Sequence, residues 1–214
     1  MKLYTYFHSS ASYRVRIALA WKGVAHEQAF VHLQKAEQLA PAFKSINPAG
    51  LVPALEDAGR VITQSLAIIE YLDEVCPGPK LMPADPFERA YVRAFSQIVA
   101  CEIHPLNNLR VLSFIRQSYG LDQEGVNRWY GHWIAEGFAM MEGFLAKERR
   151  SGKFCLGDRV TMADCCLVPQ VFNAERYKCD LSAYPTVMRI NEECKQLEAF
   201  AAAHPWKQPD APPR

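Results

Sequence analysis

The chain reads as an α/β domain followed by an all-helical one. Three observations carry this. Residues 1 to about 76 alternate between strand-like and helix-like patterns. Strand patterns nearly vanish after that point. Between the two textures, the stretch PGPKLMPADPFE holds four prolines and a glycine, the composition of a linker. The expected domains are therefore 1–80 and 87–214.

The first half is expected to run β-α-β-α-β-β-α. KLYTYF alternates and is aromatic, as a strand should be. From Ser12 to Lys22, Val15, Ala18 and Leu19 recur at helical spacing, and Gly23 can close the helix. HEQAFVHL, with Val31 at its centre, reads as a second strand. KAEQLAPAFKSINPAG is helix-like, but Pro41 should keep it short or irregular. LVPALED and RVITQ are two strands joined by a turn at Asp57 to Gly59. SLAIIEYLDEVCP is an amphipathic helix stopped by Pro77 and Gly78.

Four helical patterns fill the second half. FERAYVRAFSQIVACEIHPLNNLRVLSFIRQ is long, and Pro105 should bend or break it. QEGVNRWYGHWIAEGFAMMEGFLAKE is the second. TMADCCLVPQVFNAERYK is the third; Thr161 followed three residues later by Asp164 resembles a capping box, so Asp164 reads as structural. YPTVMRINEECKQLEAFAAAH is the fourth, and the tail from Pro205 is expected to be irregular.

Composition excludes several classes of function. Half of the 214 residues are hydrophobic and the net charge is +1, so nothing electrostatic favours nucleic acid or an anionic membrane. The apolar runs are short and broken by charges, so no membrane span is expected. MKLYTYF lacks the apolar core of a secretory signal. The seven cysteines are odd in number and form no C-x-x-C pair; they read as reduced packing thiols of a cytoplasmic protein. The six histidines show no ligand spacing, so no metal is expected.

Five motifs resemble one family in its own order. SSASYRVRIAL at 9–19 resembles the N-terminal signature of zeta-class glutathione transferases. LVPALED resembles the thioredoxin-like strand that this family enters through a cis Val-Pro bond. QSLAIIEYL at 64–72 resembles its γ-glutamyl-binding segment, and IHPLNNLRVL at 103–112 and GDRVTMADCCLVPQ at 157–170 resemble its helical domain. The resemblance implies a thioredoxin-like domain followed by an all-helical one, glutathione as cofactor, and a homodimer. It implies a cis–trans isomerase turning maleylacetoacetate or maleylpyruvate into the fumaryl isomer, in aromatic-compound catabolism. Alternatives are a general transferase conjugating glutathione to electrophiles, or a non-catalytic interaction module of the same fold.

Residue by residue, the serines at the mouth of the first helix admit two readings. Serine is a preferred helix cap and needs no ligand there. A serine hydroxyl beside the positive end of a helix can equally donate to a thiolate. With the resemblance, Ser9 is expected to hold the glutathione sulfur and Ser10 to be a second donor, both catalytic, with Ala11 beside them; Ser12 is left to capping or packing. Many zeta-class sequences carry cysteine where Ala11 stands, so this segment is expected to supply no thiol of its own. Gln64 and Ser65 are expected to take the γ-glutamyl carboxylate, against plain capping by Ser65. Val52 and Pro53 are expected to present backbone to the cysteinyl part, and Gln38 to reach the glycyl end. His104 and Asn108, four residues apart, complete the cofactor set. Arg110 and Arg176 match places where zeta-class isomerases hold substrate and are expected to bind its carboxylates. His8 stands where some relatives have arginine and bears on substrate preference. Arg14 and Arg16 are expected at the surface or in pairing between domains.

Overall fold

The computed structural model describes residues 1–213 and divides into two compact units, Met1–Met82 with the chain from Gln196 onward, and Pro83–Lys195. In the first unit, strand β1 (Lys2–Thr5) leads into helix α1 (Ser10–Trp21) and back to β2 (Glu27–Phe30), which pairs parallel to β1. Two 3₁₀ turns, Leu33–Lys35 and Glu37–Leu39, and the single helical turn α2 (Pro41–Lys44) follow, so Pro41 does keep this stretch short and irregular. Strands β3 (Ala54–Asp57) and β4 (Arg60–Thr63) form an antiparallel hairpin, and helix α3 (Ser65–Val75) closes the set. The sheet order is β2-β1-β3-β4. At the hairpin tip Ala58 and Gly59 both have positive φ, 47° and 74°, the geometry that suits the twist of paired strands. Val31 lies just beyond β2, although its N–H still donates to the Thr5 carbonyl at 2.9 Å.

Helix α1 is buried all round, every residue from Ser10 to Leu19. A helix with no solvent face must satisfy any charge it carries inside the protein. Arg14 and Arg16 are 2% and 3% exposed, which overturns the expectation of a surface position for both. Lys22, next after α1, is buried as well. Its Nζ lies 3.1 Å from Asp73 Oδ1, and Asp73 also accepts the N–H groups of Leu81 at 2.8 Å and Met82 at 3.2 Å. That pair ties down the chain as it leaves the first unit.

The fourth helical pattern is interrupted. Helix α8 (Pro185–Lys195) ends, Leu197 is extended, and α9 (Glu198–Ala202) begins again before a 3₁₀ turn at Pro205–Lys207. The chain from Gln196 onward, expected in the helical domain, belongs with the first unit because it docks on α1. The Tyr13 hydroxyl donates to the Phe200 carbonyl at 3.4 Å, Arg16 Nε donates to the Ala203 carbonyl at 3.2 Å, and Phe200 and Ala203 are buried there.

The second unit is helical. Helix α4 (Pro86–Gln97) starts with proline in its first turn and Asp85 as cap, its Oδ1 accepting the Glu88 N–H at 2.9 Å. A π-helical turn at Ile98–Ile103 follows, and the pattern breaks around Pro105 as its ring requires. Helices α5 (Leu109–Tyr119), α6 (Gln123–Glu148) and α7 (Met162–Arg176) complete the unit with α8. Gly137 on α6 is the point of closest approach: a Cβ there would fall inside the Ile103 side chain. Asp164 is wholly buried at the start of α7. Its Oδ2 accepts from the Thr161 N–H at 2.7 Å and the Thr161 hydroxyl at 3.0 Å, and its Oδ1 from the Cys155 N–H at 2.8 Å. It is therefore structural, as its spacing from Thr161 predicts. Among the described residues, no helix is long and apolar enough to cross a membrane.

Candidate functional site

Ser9 is the residue on which α1 begins. Its backbone is extended (φ −75°, ψ 114°), and its Oγ accepts the Ser12 N–H at 3.2 Å. Capping uses the oxygen as acceptor and leaves the hydroxyl proton free to donate, so the two readings of this serine are compatible. Ser9 is half-buried, Ser10 is 4% exposed, and Ala11 is 9% exposed. Ser12 does not cap: it contributes its N–H, and its own Oγ is buried without a hydrogen-bond partner. The first turn of α1 carries no acidic residue, so nothing there opposes an anion.

Strand β4 runs into α3 without a loop, and Gln64 makes the turn. Its φ is 71° and ψ 118°, a conformation that costs a non-glycine residue roughly 1–3 kcal/mol and recurs where function needs it. The Gln64 side chain does not cap α3. Ser65 opens the helix, 6% exposed, with its Oγ accepting from Arg14 Nη1 at 3.2 Å. A side chain from the second turn of α1 thus reaches the residue that opens α3. Sequence reading missed Arg14 here, because the polar residues around it in α1 give no sign that the helix is buried.

Just before β3, the Val52-Pro53 bond is cis, and both residues are buried. Gln38 is half-buried in the second 3₁₀ turn, and its Oε1 is buried with no hydrogen-bond partner. Gly50 packs against that turn. Its φ is 61°, and a Cβ on it would lie 3.0 Å from the Gln38 carbonyl oxygen, so a side chain there would be strained and crowded. A donating hydroxyl and two helix N-termini suit an anionic peptide carrying a thiolate. Glutathione, with two carboxylates, one ammonium and a thiol, fits that set. His8 is half-buried and stacks on Phe7, with ring centroids 4.8 Å apart and an interplanar angle of 7°; Trp206 lies 5.3 Å from it.

The second unit holds the remaining candidates. His104 and Asn108 do come together: Asn108 Nδ2 is 3.5 Å from His104 Nε2, while Asn108 Oδ1 caps α5 by accepting the Arg110 N–H at 3.1 Å. Arg110 is exposed on the first turn of α5. Arg176 is exposed on the last turn of α7. Its guanidinium stands 5.2 Å from the Tyr177 ring centre. Tyr130 and Tyr177 stack at 3.5 Å. Burial pushes the Tyr130 hydroxyl well above its ordinary value, and the Arg176 charge pulls the other way. Nothing in the local sequence marked this tyrosine pair, which comes from two helices far apart in the chain. Among the described residues, no group of three or more His, Cys, Asp or Glu could hold a metal ion, and all seven cysteines are free.

A mixed four-stranded sheet with a cis-proline before its third strand, attached to a helical unit, defines the thioredoxin-like and helical architecture of glutathione transferases. The N-terminal domain of the glutathione S-transferases matches residues 1–74, and their C-terminal domain matches residues 123–206. The chain belongs to the glutathione S-transferase family. It is 47% identical over 211 residues to a maleylpyruvate isomerase of Ralstonia sp., covering 99% of this chain and all of that one. A holo structure of a maleylpyruvate isomerase, described as a bacterial glutathione S-transferase of the zeta class, superposes with a TM-score of 0.96 at 47% identity, covering 99% of this chain and 100% of that one. A maleylacetoacetate isomerase from Methylobacterium extorquens AM1, with malonate and glutathione bound, superposes with a TM-score of 0.97 at 43% identity over the full length of both chains.

Proposed function

We propose that the protein is a glutathione-dependent cis–trans isomerase that converts a maleyl keto-diacid, maleylacetoacetate or maleylpyruvate, to its fumaryl isomer in aromatic-compound catabolism. The observation that carries the reading is Ser9, whose Oγ accepts the α1 cap bond and leaves its proton for a sulfur at the positive end of a buried helix. Its setting supports it: relatives matched over their full length include a maleylpyruvate isomerase and a maleylacetoacetate isomerase.

Bound glutathione supplies a sulfur nucleophile that adds to the cis double bond and leaves again after rotation, so it is regenerated and acts as a coenzyme. Ser9 keeps that sulfur ionised by donating its hydroxyl proton, with Ser10 as a second donor and the α1 dipole in support. Ala11 brings no thiol, so this segment offers no competing nucleophile. Ser65 and the N–H groups opening α3 take the γ-glutamyl carboxylate, with Gln64 turning the chain towards it and Arg14 behind Ser65. The backbone at Val52, fixed by Pro53, pairs with the cysteinyl part in the manner of an added strand. Gln38 meets the glycyl end, and His104 and Asn108 are assigned to the cofactor. Arg110 and Arg176 bind the substrate carboxylates through charge-assisted hydrogen bonds, and His8 sets the preference between the two acids. The free thiols support a cytoplasmic setting, and the zeta-class likeness supports a homodimer.

The test is isomerisation of both acids, side by side, with and without glutathione. Conversion of at least one acid that requires glutathione and does not consume it is expected. Glutathione consumed in step with the acid would indicate a conjugating transferase. Failure to bind immobilised glutathione would indicate a non-catalytic module.

A further inference from the structure

We propose that Asp210 and Arg16 are positioning residues that clamp the Phe7 peptide between opposite charges and thereby fix Ser9 for the thiolate. The proposal rests on the reading of Ser9 given above. Four residues, Tyr6 to Ser9, separate the end of β1 from the start of α1, so the place of Ser9 depends on how this short connection is held.

It is held at both polar atoms of Phe7. Asp210 Oδ2 accepts the Phe7 N–H at 2.8 Å, across 203 residues of sequence. Arg16 Nη2 donates to the Phe7 carbonyl at 3.0 Å, and Nη1 donates to the Tyr6 carbonyl and to Thr5 Oγ1, each at 3.2 Å. The same Tyr6 carbonyl accepts the Ser9 N–H at 3.0 Å, so Arg16 and the backbone of Ser9 meet on one oxygen. Burial pushes the Arg16 guanidinium down to about 10, and the charge of Asp210 opposes that push.

The segment carrying Asp210 is itself anchored. Gln208, 9% exposed, donates through Nε2 to the Ala202 carbonyl at 3.0 Å and the His204 carbonyl at 3.1 Å, and the Ala211 N–H returns to the Gln208 carbonyl at 3.0 Å. Trp206 packs against Phe7 with ring centres 5.5 Å apart. The chain end therefore works as a strap across the β1–α1 connection. A capping serine could form its cap bond in several placements, but only one lets its remaining proton meet a sulfur, and a displacement of an ångström weakens such a contact strongly.

The experiment compares wild type, Asp210→Ala and Asp210→Asn in two readouts. The first is amide hydrogen exchange over residues 5–12 without glutathione. The second is the pH titration of thiolate absorbance of bound glutathione, alongside isomerase kcat and the glutathione Kd. Asp210→Ala is expected to exchange faster in that peptide, with exchange in α3 unchanged. Its bound thiol should titrate at higher pH, with kcat lower by roughly tenfold and Kd altered by less than about threefold. Asp210→Asn keeps an acceptor for the Phe7 N–H but loses its charge, and should fall between the two. Should Asp210→Ala fail to fold, Asp210→Asn decides the matter by the same two readouts. Wild-type exchange and a wild-type thiol titration in the folded variants would overturn the proposal. A wild-type protein that does not lower the thiol's titration would instead overturn the Ser9 reading, and the exchange measurement would still decide the clamp.

Discussion

Arg14 Nη1 lies 3.2 Å from Ser65 Oγ, so an arginine buried in the first helix supports the residue that opens the third. A guanidinium in this position serves two ends. It ties α1 to α3, and it places positive charge behind the helix N-terminus assigned to the γ-glutamyl carboxylate.

Arg14→Met is accordingly expected to weaken glutathione binding by roughly tenfold, the worth of one hydrogen bond to a charged group. Ser65→Ala should weaken it too, and the double variant should lose less than the sum, because the two residues act as a unit. Titration calorimetry on the three variants measures the coupling. Strict additivity would show that Arg14 and Ser65 act independently.

Asp164 carries a prediction about pH. Burial pushes its carboxyl above the ordinary 3.8, against the pull of the Cys155 and Thr161 donors. The native chain thus holds this proton more tightly than the unfolded chain. The stabilisation from Asp164 is complete below 3.8 and is lost as pH rises through the raised native value. Asp164→Ala leaves two buried N–H groups without an acceptor, at a cost of roughly 1–3 kcal/mol each. The gap between wild type and variant in urea unfolding should narrow as pH climbs from below 3.8. A gap that widens over the same window would contradict the assignment.

Arg176→Ala separates a substrate ligand from a packing residue. As a carboxylate ligand its loss should raise KM for the maleyl acid by roughly tenfold or more, while turnover of a neutral electrophile is kept. Its place over the Tyr177 ring, which stacks on Tyr130, offers the alternative. If its role is only to hold that tyrosine stack, both activities fall together and the melting temperature drops.

Local signals made much of this fold legible. The order of strands and helices in the first unit, the turn at Asp57 to Gly59, the break at Pro105 and the start of α7 at Thr161 each follow from residues within a few positions of the feature. The helix mouth at Ser9 was legible for the same reason. What stayed hidden depends on long-range packing. Arg14 and Arg16 look like surface charges until the helix is known to be buried on every side. The pattern from Tyr184 to His204 is continuous in sequence, yet Phe200 and Ala203 belong with α1, and nothing local marks the break at Leu197. The partnership of Phe7 with Asp210 lies beyond any spacing rule.

The central claim is that the Ser9 hydroxyl keeps the glutathione sulfur ionised, and the thiolate absorbance of bound glutathione followed across pH in wild type and Ser9→Ala tests it most directly. Ser9→Ala should still bind glutathione, titrate its thiol at higher pH, and turn over more slowly. The same titration and the same rates in both proteins would contradict the account.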